Sequence, residues 1–140
     1  MLLSPFPLLL AIAGTVTYHL AQKAVPEDAS PFGVIALAYL VGFVCALGAL
    51  LASGGAVTET ARMAWKPAVV LGLGALVIEV GYLLAYRAGW PISTVSLIAN
   101  VAVAAILLGV GIFVYRETLT LAQWSGVALC VAGLGLIAWR

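Results

Sequence analysis

The chain has 140 residues, of which 65% are hydrophobic and 8% charged, with five acidic and six basic side chains for a formal net charge of +1. A water-soluble domain carries about a quarter charged residues, so composition places this chain in a membrane. It has no basic patch for nucleic acid and no acidic tail, and Cys45 and Cys130 sit inside apolar runs without disulfide or metal-ligand spacing.

A helix needs about 20 apolar residues to cross a hydrocarbon core of roughly 30 Å. Five stretches meet that length, and the expected fold is all-α: a polytopic bundle of five transmembrane helices in a single domain. The first span covers residues 2–22. Its start holds no Lys or Arg, so it reads as a span and not as a cleaved signal peptide. A polar loop with Pro26, Glu27 and Asp28 leads to the second span, 31–52, which stops at Gly54-Gly55. The longest loop, with Thr58, Glu59, Thr60 and Arg62, precedes the third span, 67–86. A tight turn over 87–90 leads to the fourth, 91–115, and Arg116-Glu117-Thr118 connects to the fifth, 121–139. Pro31, Pro67 and Pro91 stand at helix starts, where proline forfeits no helical hydrogen bond. Trp65, Trp90, Trp124 and Trp139 fall at span boundaries, where the indole ring favours the interface.

Five spans put the termini on opposite sides. Arg62, Lys66 and Arg116 then fall on the side of Met1, and Lys23, Arg87 and Arg140 on the other. The positive-inside rule needs an imbalance to set orientation, and this tie offers none. It is met either by one weak bias or by insertion in both orientations, with head-to-tail pairing into an antiparallel homodimer. Parallel pairing and pairing with a different small subunit stay open.

Polar residues inside spans are the informative ones, because each is costly without a partner or water. Thr15, Tyr18, His19 and Gln22 form a stripe on the first helix. Glu79, Tyr82 and Tyr86 share one face of the third, and Ser93, Ser96 and Asn100 repeat that spacing on the fourth. The second offers Tyr39, and the fifth Gln123 and Ser125 near its start. Polar faces avoid lipid, so the three stripes are expected to converge. Glu79 lies 12 residues past Pro67, about 18 Å at 1.5 Å per residue, slightly beyond mid-membrane. The others lie mostly nearer the side of Lys23, giving a funnel that opens there and narrows at Glu79.

Glu79 is the expected proton-coupling and substrate residue, since a carboxyl group in a low-dielectric site is a natural proton exchanger. The competing reading is an acid bonded to a neighbouring helix or paired with His19 or Arg87. His19 is either a second coupling group or a satisfied interfacial side chain. Tyr82 and Tyr86 suit cation–π contacts or an interfacial belt, and Asn100 suits substrate bonding or inter-helix packing. Tyr18, Gln22, Ser93 and Ser96 complete the expected substrate cavity. Lys23 and Arg87 are expected to snorkel. No nucleophile–base pair with an orienting third group is present, so no enzyme is expected, and no metal or cofactor.

The stretch Tyr82-Leu-Leu-Ala-Tyr-Arg-Ala-Gly-Trp-Pro-Ile-Ser93, then Arg116-Glu-Thr-Leu-Thr120, Gln123-Trp124-x-Gly126 and a glycine-rich last helix, resembles an EamA-type domain of the drug/metabolite transporter superfamily. Tyr18-His-Leu-Ala-Gln-Lys23 resembles small single-domain bacterial EamA-like proteins. The resemblance implies half of a ten-helix inverted-repeat transporter that moves small metabolites or drugs across the bacterial cytoplasmic membrane. Five helices would pair with a second copy to complete that unit. The related small multidrug resistance proteins carry a carboxylate in helix one; helix one here has none, so Glu79 inherits nothing by position. A lipid or lipid-linked sugar translocator subunit and a non-transporting accessory subunit are the alternatives.

Overall fold

A computed structural model describes residues 4–138. Its order is α1 (Phe6–Lys23), α2 (Pro31–Ala52), α3 (Val57–Arg87), α4 (Ile92–Phe113) and α5 (Leu121–Ala138). The described residues are all-helical, with no strand. α2, α3 and α4 are each long and apolar enough to cross a membrane, and the chain is an integral membrane protein. Lipid offers no hydrogen bonds to a backbone, so each span must satisfy its own, which the helix does. α1 and α5 have 18 residues each, about 27 Å of rise. Residues 2–3 of the expected first span, and Trp139 and Arg140, lie outside the described residues.

The chain divides into two compact units, Met1–Trp90 and Pro91–Arg140. In the first, α3 packs against both α1 and α2; in the second, α4 packs against α5.

Helix boundaries follow from local chemistry. α1 begins at Phe6, later than residue 2, with Pro5 as its N-cap and Pro7 in its first turn, where a missing N–H costs nothing. Ser30 caps α2 by accepting from the Gly33 amide at 3.4 Å, ahead of Pro31. α2 ends in a Schellman motif: the Gly54 amide bonds the Leu51 carbonyl and the Gly55 amide the Leu50 carbonyl, with Gly54 at φ 73°. α3 ends the same way, through Gly89 to Tyr86 and Trp90 to Ala85, with Gly89 at φ 85°. Glycine adopts this left-handed geometry without a Cβ clash.

The third helix departs from expectation. Thr58, Glu59, Thr60 and Arg62 are not in a loop but on the opening turns of α3, and Pro67 lies inside the helix rather than at its start. Residues 57–66 contain neither glycine nor proline, and Glu, Ala, Arg, Met and Lys all favour helix. The proline acts instead as a bend. It removes one amide donor and its ring crowds the preceding turn, and the backbone breaks from helical geometry at Ala64 (φ −127°, ψ 16°).

α4 stops at Phe113, two residues short of 115, because Arg116 turns left-handed at φ 55°. The Glu117 amide then bonds the Gly111 carbonyl at 3.0 Å, and the Glu117 carboxylate lies over Gly111, where a Cβ would crowd it. Thr120 and Gln123 open α5 with a capping box: the Thr120 amide donates to Gln123 Oε1 at 2.8 Å, and the Gln123 amide to Thr120 Oγ1 at 3.3 Å. Two otherwise orphaned donors are satisfied reciprocally.

Candidate functional site

Burial in the first unit is inverted relative to a soluble protein. His19 and Gln22 are 6% and 8% exposed, while Leu8, Leu9, Leu10, Ile12 and Val16 on the same helix are more than half exposed. Contiguous apolar surface of this kind is unfavourable in water and favourable against acyl chains. The lower part of the α1 polar stripe, Tyr18, His19 and Gln22, therefore faces protein, while Thr15 and the apolar remainder face outward.

That stripe meets α3. Gln22 Nε2 donates to Glu79 Oε2 at 2.5 Å and to the Tyr18 hydroxyl at 2.9 Å, with the Glu79 carbonyl oxygen at 3.4 Å. Glu79 is half-buried. The Tyr18 hydroxyl lies beside the same carboxylate, and Tyr39 on α2 is within electrostatic reach of it. Two turns further along α3, Tyr86 shares a 2.8 Å hydrogen bond with His19 Nδ1. The His19 ring meets Tyr82 edge-on at 4.6 Å, and Tyr82 and Tyr86 stack at 6.3 Å. Edge-to-face and offset contacts are the geometries the ring quadrupoles favour. Leu83, next to Tyr82 in the same helix, is buried. Tyr18, His19, Gln22, Glu79, Tyr82 and Tyr86 thus form one continuous polar–aromatic seam.

Glu79 contacts an amide and hydroxyl groups, not His19, whose bond goes to Tyr86. Arg87 does not reach Glu79 either. Its Nη2 donates to the carbonyls of Pro26, at 3.4 Å, and of Ala29, holding the α1–α2 loop onto the end of α3. The Lys23 ammonium lies 5.8 Å above the Tyr86 ring, a cation–π distance. Beside this end of the seam is a small cavity of about 50 Å³ bounded by Gln22, Val25, Glu27, Tyr86 and Arg87. Gln22 both lines it and bonds Glu79.

Ser93, Ser96 and Asn100 belong to the second unit. Ser96 Oγ donates to the Ile92 carbonyl at 2.7 Å, with the Ser93 carbonyl at 3.3 Å, so its hydroxyl is satisfied within α4. Asn100 is exposed and borders an apolar groove of about 430 Å³ between α4 and α5, whose walls include Ala104, Gly126 and Cys130. Thr15, also on the expected α1 stripe, bonds its own helix at the Ala11 carbonyl at 2.9 Å. Among the described residues no three His, Cys, Asp or Glu side chains gather as metal ligands, and Cys45 and Cys130 are free thiols.

Sequence did not bring two further residues to the neighbourhood of the seam. Tyr39 had no partner stripe on its own helix, and Arg87 was read as a snorkelling side chain although it bonds a loop 58 residues away. Comparison with family models, with curated protein sequences and with solved structures returns no match.

Proposed function

We propose that this membrane protein is a proton-coupled secondary transporter of small amphipathic or cationic molecules, with Glu79 as its coupling group. The observation that carries the reading is the Gln22–Glu79 contact. It joins an acid within an apolar helix to a polar donor on another helix, and the acid remains half-exposed. Intramembrane acids are functional by default because of their cost. An ionised Glu79 attracts a cation and accepts strongly from Gln22; a protonated Glu79 does neither as well. Proton and cation therefore compete for one site, so that a proton moving one way exchanges for a monocation moving the other. The same protonation weakens a tie between α1 and α3, linking occupancy to helix movement.

In this proposal two chains pair head to tail in the bacterial cytoplasmic membrane. The balanced loop charges and the EamA-like segments support that pairing, since inverted halves suit alternating access. Reconstituted vesicles with an imposed pH gradient and ethidium as probe test the coupling. Wild-type protein is expected to drive ethidium flux, and Glu79→Gln to abolish it while retaining helical circular dichroism. Equal flux from the variant removes Glu79 from the mechanism.

The α4–α5 groove favours a second reading, translocation of a lipid or lipid-linked sugar, because its long apolar walls suit an acyl chain and Asn100 supplies one polar contact. That reading predicts scrambling of fluorescent phospholipid in the same vesicles, independent of a proton gradient. A non-transporting accessory role predicts neither flux.

A further inference from the structure

α3 is longer than the membrane it crosses. Its 31 residues rise about 46 Å, against a hydrocarbon core of about 30 Å. A straight helix of that length would need about 50° of tilt to fit inside, beyond the roughly 40° reached by membrane helices. It would also draw Glu59, Arg62 and Lys66 into lipid, at a high cost. The surplus is about ten residues. It belongs at the Val57 end, because at the other end Arg87 bonds the carbonyls of the α1–α2 loop. From Pro67 to Arg87 the helix rises about 31 Å, and that part alone spans the core. The break at Ala64 falls where the surplus begins, so residues 57–66 need not continue along the axis of the span.

That segment has two chemistries. Val57 and Ala61 are neighbours on one face of it, Thr58 and Arg62 on the next, with Glu59 beside them. Trp65 and Lys66 follow at the break, the Lys66 ammonium 5.7 Å from the centre of the Trp65 ring. Val57 and Trp65 are 50% and 58% exposed, and Ala61, Arg62 and Lys66 are exposed as well. An apolar flank, an indole and cations at the end of a span suit the boundary between acyl chains and headgroups. The two cations, Arg62 and Lys66, outnumber the one acid, Glu59, so the segment is complementary to negative charge.

We propose that residues 57–66 are an interfacial helix that docks on anionic phospholipid, with Arg62 and Lys66 at the headgroup phosphates and Val57, Ala61 and Trp65 against the upper acyl chains. A guanidinium can pair two phosphate oxygens at once, whereas an ammonium binds as a point charge. Arg62 therefore makes the more directional contact. The inference does not depend on the transport reading above.

The full chain carrying Trp90→Phe, Trp124→Phe and Trp139→Phe leaves Trp65 as its sole indole. In phosphatidylcholine vesicles, brominated phosphatidylglycerol and brominated phosphatidylcholine quench an indole they touch, and their ratio gives the local lipid preference. Trp65 is expected to be quenched by both, with phosphatidylglycerol preferred about fivefold, the share of one net cation near a charged surface. Arg62→Gln and Lys66→Gln should each bring that preference close to one, and Glu59→Gln should raise it by about another fivefold. Equal quenching by the two lipids in the parent protein overturns headgroup docking. Quenching by aqueous iodide and by neither lipid places the segment in water, and protection from all three places a second chain over it; either result overturns the inference. Should the tryptophan substitutions abolish helical circular dichroism, carbon–phosphorus distance NMR on the chain with all its tryptophans decides. The Arg62 guanidinium carbon, identified by its loss in Arg62→Gln, should be dephased by lipid phosphorus, and no dephasing overturns the contact.

Discussion

Gln22 donates to a carboxylate, and hydrogen bonds to charged groups are the stronger class. Gln22→Leu keeps the side chain's bulk and removes both polar atoms, leaving Glu79 half-buried without its amide donor. Inter-helix hydrogen bonds in membranes contribute less than those in soluble cores, so the expected loss is about 1–2 kcal/mol, between the two ranges. Unfolding in mixed micelles by added denaturing detergent measures it, and a neutral effect argues that the contact is incidental. His19 and Tyr86 offer a cleaner pair, since their 2.8 Å bond is fully buried. Single variants His19→Phe and Tyr86→Phe each strand the other partner. Their double-mutant cycle should return a coupling near 1 kcal/mol, whereas additive losses place the bond outside the stability of the seam.

At the level of helices, the ends are set by short-range chemistry that substitutions can remove one at a time. Thr120→Ala eliminates half of the α5 capping box and should cost about 1 kcal/mol; a loss confined to fraying of residues near 120 is expected in amide exchange. Gly89→Ala forces a Cβ into the left-handed turn between α3 and α4, at about 1–2 kcal/mol, and its effect should appear as a lowered unfolding midpoint. The tight turn over 87–90 is legible in the sequence, whereas the Thr120–Gln123 box emerges with the structure. Pro67 shows the limit of such reading. Proline is compatible both with a helix start and with a bend inside a helix, and only the helix-forming run of 57–66 decides for the bend at Ala64.

Across the first unit, the exposed apolar flank of α1 calls for lipid, while the buried His19 and Gln22 bond α3. Topology reporters fused at each terminus test the pairing scheme. Balanced loop charges should give signal from both orientations, and a single orientation would rule out the antiparallel homodimer. The five helices and the membrane assignment follow from sequence alone, because span length and hydropathy are local properties that lipid enforces strongly. So does the existence of polar stripes on α1 and α3, which the helical period places on one face. What the tertiary structure decides is who meets whom. Gln22 finds Glu79 across 57 residues and His19 finds Tyr86 across 67, while Arg87 goes to the loop carbonyls and leaves the acid to uncharged donors. Periodicity fixes a stripe's spacing but not the rotation and height at which two helices settle. That register comes from packing, and it turns six scattered polar residues into one seam.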